Sequence, residues 1–165
     1  MRVVQSTARV RQRVVQEQPT NDRSREASEK GTRPVASSAD VRRRMQATRR
    51  RDTPGEIALR KALRALGLRY RIDVTLAGTR RRADVAFVRA RVAVFVDGCF
   101  WHGCPRHGTW PKANAAWWRS KIEGNRLRDR NTDATLRLAG WTVLRFWEHT
   151  DATVAARRVA KVLRG

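Results

Sequence analysis

The chain has 165 residues, of which 41% are hydrophobic, and its formal net charge is +22. This length fits one domain of ordinary size, and the apolar content excludes a fully disordered chain. We expect neither a membrane-spanning helix, since no run of about 18 apolar residues occurs, nor a secretory signal. Two cysteines are too few for a scaffold held by disulfides. The charge predicts a polyanionic partner, most commonly nucleic acid. The charge alone does not distinguish DNA from RNA or from an anionic membrane surface.

The first 40 residues are predicted to form a disordered, basic and polar tail, because residues 17–40 contain almost nothing to bury. A solvated basic arm is the simplest interpretation of the Arg-rich start, with a transit peptide or a short surface helix as alternatives. The folded domain is predicted over residues 41–165. It begins with a second basic segment in which Met45 is the one large apolar side chain.

The first helix of this domain is predicted to start at Thr53, with Pro54 at its first position and Glu56 closing a capping box. Leucines and alanines then recur every three or four residues on one face, and Gly67 ends the helix.

The rest of the domain alternates between strands and helices. Strands are predicted over residues 68–74, 83–88 and 92–96, and a loop rich in Gly, Pro, Cys and His follows. A long polar helix over 114–138, a strand over 141–147 and a last helix capped by Asp151 complete the pattern. This order predicts an α/β fold, with a central mixed sheet flanked by helices.

Cysteine and histidine residues are concentrated in the loop. Cys99, Cys104 and His107 are spaced C-x-x-x-x-C-x-x-H, and such loops let soft ligands converge on Zn²⁺. With His102 and His149 the chain offers five candidates for four zinc positions. Two buried free thiols and unrelated surface histidines are the alternative.

Two acids mark the ends of adjacent predicted strands, Asp84 at the start of one and Asp97 at the end of the next. A carboxylate beside a buried run is costly unless it is paired or binds a metal. If the strands pair, the two acids lie close enough for a Mg²⁺ site, to which Glu56 could contribute. The alternatives are an ion pair between Asp84 and an arginine at 80–82, and a purely capping role for Glu56.

Aromatic side chains lie among basic ones. Phe100 and Trp101 stand between zinc candidates, and apolar wedges on loops of basic proteins can insert between base pairs, most cheaply at a mismatch. Packing of these rings over the loop is the alternative. Basic side chains on the long helix suit phosphate contacts, or form a solvated face; they are Arg119, Lys121, Arg126, Arg128 and Arg130.

Five segments in order resemble the very-short-patch-repair endonucleases, the Vsr family of DNA mismatch nickases. The most specific is VAVFVDGCFWHGCPRHGTWP at residues 92–111, and the others are RRRMQATRRRDTPGE, RRADVAF, WWRSKIEGNRLRDR and GWTVLRFWEH. The resemblance implies a restriction-endonuclease-like fold with a structural zinc loop, Mg²⁺-dependent cleavage and nicking of the T strand at a T·G mispair, the product of 5-methylcytosine deamination. It says nothing about the first 40 residues.

The resemblance also implies roles for the acids and for one histidine. Asp84 falls on the metal-binding aspartate, with the main-chain carbonyl of Val96 as the second Mg²⁺ ligand. His102 falls on the catalytic histidine and Glu56 on an active-site glutamate. Asp97 stands where the best-known members have a second active-site histidine, so it is expected to bind metal or orient water.

The zinc ligands implied by the resemblance are Cys99, Cys104, His107 and His149, which leaves His102 free. Relative to the best-known members, Cys104 and His107 reverse a His–Cys order and His149 replaces a cysteine. The implied DNA contacts are the wedging rings Phe100, Trp101 and Trp118, the opposite-side residue Met45, and Lys121 and Asn125 near the mispair.

We therefore expect a bacterial-type, cytoplasmic, nucleoid-associated monomer that acts on double-stranded DNA carrying a T·G mismatch, with mismatch-repair proteins as candidate partners and no membrane association. Two alternatives stay open. One is a zinc-stabilised nucleic-acid-binding module without catalysis. The other is a related nuclease of different specificity, for example for unmethylated or branched DNA.

Overall fold

The computed structural model describes residues 43, 51–76 and 79–165. The predicted tail and Met45 lie outside these residues, and the expectations for them stay predictions. Every helix and strand predicted after residue 52 is present, with ends shifted by up to three residues. The elements are α1 (Pro54–Ala65), β1 (Arg71–Thr75), β2 (Arg82–Phe87), β3 (Val92–Asp97), α2 (Ala115–Leu138), β4 (Thr142–Trp147) and α3 (Ala152–Arg164).

The four strands form one mixed sheet, as the sequence predicts, and their order in it is β1-β2-β3-β4. β1, β2 and β3 are antiparallel neighbours, whereas β4 pairs with β3 in parallel, from Val92 opposite Thr142 to Asp97 opposite Trp147. A parallel pair needs a long crossover connection, and the cysteine-rich loop and α2 provide it. None of the described helices is long and apolar enough to cross a membrane.

The start of α1 confirms half of the predicted capping box. Thr53 Oγ1 accepts the N–H of Glu56 at 3.3 Å. The Glu56 carboxylate accepts the Thr53 hydroxyl and the N–H of Asp52, both at 3.0 Å, rather than the N–H of Thr53. The helix ends just before Gly67, whose φ of 71° is the left-handed conformation that glycine adopts without strain.

The sheet lies between two layers of helix. On one face, Leu59 and Leu63 of α1 pack with Val159 of α3 against β-strand side chains such as Val85 and Val94. On the other face, the core consists mainly of small side chains of the sheet, Leu136 of α2 and Phe95. The apolar side chains of β2 and β3 therefore point alternately into two cores. Packing on both faces fixes the position of the ends of these strands.

Replacement of Leu63 by alanine tests the α1–α3 core. Leu63 is completely buried, so Leu63→Ala is expected to lower the free energy of unfolding by about 2–5 kcal/mol, because transfer energy is lost and a cavity is left. Urea denaturation followed by circular dichroism measures the change. Leu138→Ala, at a side chain that is 91% exposed, is the matched control, and an equal loss in both variants would contradict this core.

Candidate active site and metal centres

Asp84 lies where the pairing between β2 and β3 stops. The register runs from Phe87 opposite Val92 to Val85 opposite Val94, and ends one residue before Asp84. There Asp84 Oδ2 accepts the N–H of Val96 at 2.7 Å, so a side-chain oxygen replaces a main-chain acceptor. The other carboxylate oxygen, Oδ1, makes no hydrogen bond to a described residue. One oxygen is thus fixed by the sheet, and the second can accept an external ligand.

Three carboxylates influence one another at this point. Burial raises the pKa of Asp84 to about 6; the negative charges of Glu56 and Asp97 add to the rise, whereas the N–H of Val96 and the charge of Arg60 oppose it. Glu56 forms an ion pair with Arg60 at 3.0 Å, and Asp97 is paired with another arginine. Asp84 is the one of the three without an ion pair among the described residues. A divalent cation would compensate its charge.

The alternative ion pairs for Asp84 are absent from the described part of the chain. Arg82 extends to Asp73 and Thr75 on β1 instead. The arginines at 80–82 therefore form no ion pair with Asp84, and its metal-binding role stays a prediction.

His102 is held by two carboxylates. Its Nδ1 lies 2.6 Å from Asp129 Oδ2 and 3.6 Å from Asp97 Oδ1. Burial alone would lower the pKa of His102, but the hydrogen bond to Asp129 and the two negative charges outweigh it, and the pKa lies above its ordinary value. Burial would raise the pKa of Asp129, but the hydrogen bond and the charge of His102 have the larger combined effect, so the pKa of Asp129 is lowered. Because Nδ1 is engaged, Nε2 is the ring nitrogen left for proton transfer.

Arg145 connects the acids around His102. Its guanidinium lies 2.7 Å from Asp97, 2.9 Å from Asp133 and 3.7 Å from Asp129. The guanidinium carbon also lies over the ring of Phe95, 4.5 Å from the ring centroid. Burial works against the charge of Arg145, but the three carboxylates outweigh it and its pKa is raised. The carboxylate of Asp97 is thus engaged by an arginine, and its expected role towards metal or water stays a prediction.

Sequence reasoning did not single out Asp129, Asp133 or Arg145. A signal existed for each of them. Arg145 is the one charged residue in the strand TVLRFW, and a charge inside an apolar strand requires a partner. Asp129 and Asp133 are four residues apart on α2, so they share one face of that helix.

Removal of Arg145 is expected to destabilise the fold. In Arg145→Met three partly buried carboxylates lose their common cation, and the free energy of unfolding should fall by about 2–4 kcal/mol. Denaturant unfolding at neutral pH measures this change. In the control Arg137→Met a 59% exposed side chain loses one pair to Asp133, and a change below about 0.5 kcal/mol is expected. Equal effects would show that the Arg145 network contributes nothing.

The structure brings the four predicted zinc residues together. One donor atom from each of Cys99, Cys104, His107 and His149 lies within 4.8 Å of the others, and Cys99 Sγ is 3.0 Å from His149 Nδ1. Two thiols and two imidazoles are a donor set that suits tetrahedral Zn²⁺. His102 lies instead in a separate group with Asp97 and Asp129, as expected for the free histidine.

The loop around this cluster depends on two glycines. A Cβ at Gly108 would lie 2.4 Å from the carbonyl oxygen of Cys104, which accepts the N–H of Gly108 at 2.8 Å. Gly103 has a φ of 62°, and a Cβ there would lie 2.8 Å from the Ile122 side chain. The tight loop thus seats the cysteines next to α2. Cys99 is also fixed through its N–H, which donates to Glu148 at 2.7 Å.

The aromatic residues of the loop pack against one another. Phe100 lies 5.1 Å from both Trp101 and Trp118, measured between ring centroids. Trp118 is 8% exposed and forms the base of this cluster, whereas Phe100 and Trp101 are half-buried above it. Asn125 donates to the carbonyl oxygen of Trp101 at 2.7 Å and ties the loop to α2. Packing and DNA insertion are therefore compatible for the two outer rings, whereas insertion of Trp118 would require the cluster to open.

Comparison with known proteins shows the family to which the sequence is related. The family profile of DNA mismatch endonuclease Vsr matches residues 35–107. The type II nicking enzyme V.NaeI of Lentzea aerocolonigenes is 46% identical over 136 residues, which cover 81% of this chain and 82% of the relative. The chain belongs to the Vsr family. Membership in the Vsr family makes it a DNA endonuclease, a hydrolase whose substrate is DNA.

Two further relatives of this Vsr-family chain carry different names. The type II nicking enzyme V.NmeDIP of Neisseria meningitidis serogroup C is 40% identical over 126 residues, 73% of this chain and 83% of its own. The DNA mismatch endonuclease Vsr of Escherichia coli (strain K12) is 34% identical over 119 residues, which cover 69% of this chain and 72% of the relative. The resemblance to the Vsr family is thereby confirmed.

Proposed function

We propose that this endonuclease nicks one strand of double-stranded DNA on the 5′ side of the T in a T·G mispair, with Mg²⁺ bound at Asp84. The observation that carries this proposal is the Asp84 carboxylate, which is held at the fork between β2 and β3 and has no ion pair among the described residues. The E. coli relative is named a DNA mismatch endonuclease, and other relatives are named nicking enzymes.

The residues at the fork suit a small divalent cation. Asp84 and the Val96 carbonyl would hold it, since oxygen ligands and retained waters are what Mg²⁺ prefers. When bound, Mg²⁺ supplies positive charge that stabilises the scissile phosphate and the leaving oxygen. The negative charge of Glu56 destabilises the ionised Asp84, and a bound cation would offset this repulsion. The ion pair with Arg60 holds the Glu56 side chain in position.

Proton transfer falls to His102 in this proposal. Asp129 binds Nδ1 at 2.6 Å and thereby orients the ring and fixes the tautomer. Nε2 then accepts a proton from the attacking water, directly or through a second water. Arg145 holds Asp129 and Asp97 in position and limits their repulsion.

Mismatch recognition is assigned to the aromatic cluster and its surroundings. Phe100 and Trp101 insert at the mispair from the major-groove side, supported by Trp118, and unstacking costs least at a mismatched step. Met45, outside the described residues, inserts from the opposite side. Lys121 and Asn125 contact bases or backbone nearby.

Replacement of Asp84 by asparagine tests the metal site. The amide side chain would keep an acceptor for the N–H of Val96 but lose the charge, so nicking of a T·G duplex with Mg²⁺ should fall by about a thousandfold or more, given that several kcal/mol of charge stabilisation are lost. Single-turnover rates measured on a denaturing gel give the ratio, and omission of Mg²⁺ should stop the wild type.

The matched control is Asp73→Asn, which removes an equal charge from the neighbouring strand β1, where Asp73 pairs with Arg51 and Arg82. It should nick at a rate within about twofold of the wild type, since surface pairs contribute little. Undiminished nicking by Asp84→Asn would refute the assignment of Asp84.

A second candidate is an endonuclease of different specificity, because the relatives V.NaeI and V.NmeDIP are named type II nicking enzymes. Side-by-side cleavage of T·G, matched, unmethylated and branched duplexes separates the candidates. A clear preference for T·G supports the proposal, and equal or better cleavage of another duplex favours the second candidate. Family membership favours either enzyme over a non-catalytic binding module.

We also propose that the four-residue cluster binds a structural Zn²⁺. Purified protein should then contain about one zinc ion per chain, and His149→Ala should reduce zinc content and melting temperature together. His102→Ala is the control, since it should retain zinc while nicking is lost. Metal analysis by mass spectrometry makes the measurement, and full zinc content in His149→Ala would contradict this ligand set.

A further inference from the structure

A cavity of about 250 Å³ opens beside His102, between the loop before β2 and the exposed side of α2. Three of its lining residues carry positive charge, Arg81, Lys121 and Arg128, and all three are exposed to solvent. The one carboxylate in the lining, Asp129, is already engaged by His102. The cavity therefore carries an excess of positive charge and suits an anionic group.

The two arginines of the cavity are placed in different ways. Arg128 donates a hydrogen bond to Asn125, which in turn donates to the Trp101 carbonyl oxygen, so this guanidinium is tied to the loop that carries His102. The main chain of Arg81 forms hydrogen bonds with the Thr79 hydroxyl, and the positive charge of Arg81 acts on Asp129 of α2. Among the described residues no ion pair is formed by the guanidinium of Arg81, which leaves its donors available.

The cavity does not include the acids of the proposed metal site. Glu56, Asp84 and Asp97 are not among its described lining residues. His102 lines the cavity and lies 3.6 Å from Asp97, whose charge acts on Asp84, so these two residues connect the cavity to the proposed metal site. A strand cleaved at Asp84 carries further phosphates on either side of the scissile one, and a cavity beside His102 can accept one of them.

We propose that Arg81 and Arg128 form a binding site for one phosphodiester of the cleaved strand, a neighbour of the phosphate that is cut. The planar guanidinium group matches a phosphate through two parallel hydrogen bonds, and two arginines from different elements, the loop before β2 and α2, would fix the strand relative to His102. The site binds and orients the substrate. The inference rests on the proposed function for the location of the cleaved bond at Asp84.

The experiment neutralises one phosphate at a time. Duplexes with a single methylphosphonate at successive positions around the nick are compared with wild type, Arg81→Ala and Arg81→Lys. In the wild type, one position flanking the nick should reduce affinity and cleavage by about tenfold, the loss expected for a charge-assisted hydrogen bond. In Arg81→Ala the same methylphosphonate should reduce affinity and cleavage by no more than about twofold relative to the unmodified duplex, since the arginine that binds this phosphate is already absent.

Arg89→Ala is the matched control. Arg89 follows β2 in an exposed turn, at the end of the strand remote from Arg81, and should keep the full tenfold response. Arg81→Ala should also reduce the slope of log affinity against log salt by about one, whereas Arg81→Lys should retain the slope with weaker binding. The alanine variant should fold, because the contacts of Arg81 with Thr79 are main-chain.

Binding measured without Mg²⁺ separates this inference from the proposed function. If the wild type shows no preference for T·G but one phosphate still couples to Arg81, the specificity is wrong and the phosphate site stands. If T·G is nicked but no position couples to Arg81, the phosphate site is refuted alone. Dependence on Arg81 only for nicked duplexes with a 5′-phosphate would overturn the inference in favour of a product site.

Discussion

The hydrogen bond from the Val96 N–H to Asp84 is the contact on which the rest of the site depends. It ends the ladder between two antiparallel strands and opens a fork at the sheet end. This hydrogen bond keeps the carboxylate inside the sheet and away from bulk water. Burial and the neighbouring acids therefore raise the pKa of Asp84 to about 6. The fold thereby keeps a carboxylate in an unfavourable environment, which a bound cation would relieve.

Helix α2 connects the parts of the candidate active site that lie on one face of the sheet. Asp129 binds His102, Asp133 binds Arg145, and Asn125 binds the main chain of Trp101. The apolar anchor of the same helix, Leu136, is completely buried against the sheet. The geometry of the histidine thus depends on a long helix whose own position is set by packing, and small shifts of α2 would move several groups together.

Much of the architecture could be predicted from the sequence because it follows local rules. Short runs of β-branched or aromatic residues between turn or charged residues predicted the strands, Thr53 and Asp151 predicted helix starts, and Gly67 predicted a helix end. The scarcity of Cys and His limited the zinc ligands to five candidates, and the family resemblance implied the quartet of Cys99, Cys104, His107 and His149. The partners of Arg145 could not, because a residue's neighbours across 12 to 48 positions depend on strand register and helix placement. The Glu56 contact with Asp52 is similarly a matter of local geometry that the capping pattern does not specify.

The turn between β2 and β3 lies at the far end of the same hairpin. Residues 88–91 are exposed, and the antiparallel strands carry the chain from there to Asp84 and Asp97 at the opposite end. Exposed loop tips of this kind tolerate inserted sequence well. The hairpin therefore offers an attachment point for a fluorescent label or a fused targeting module, at a distance of a whole strand from the proposed catalytic residues.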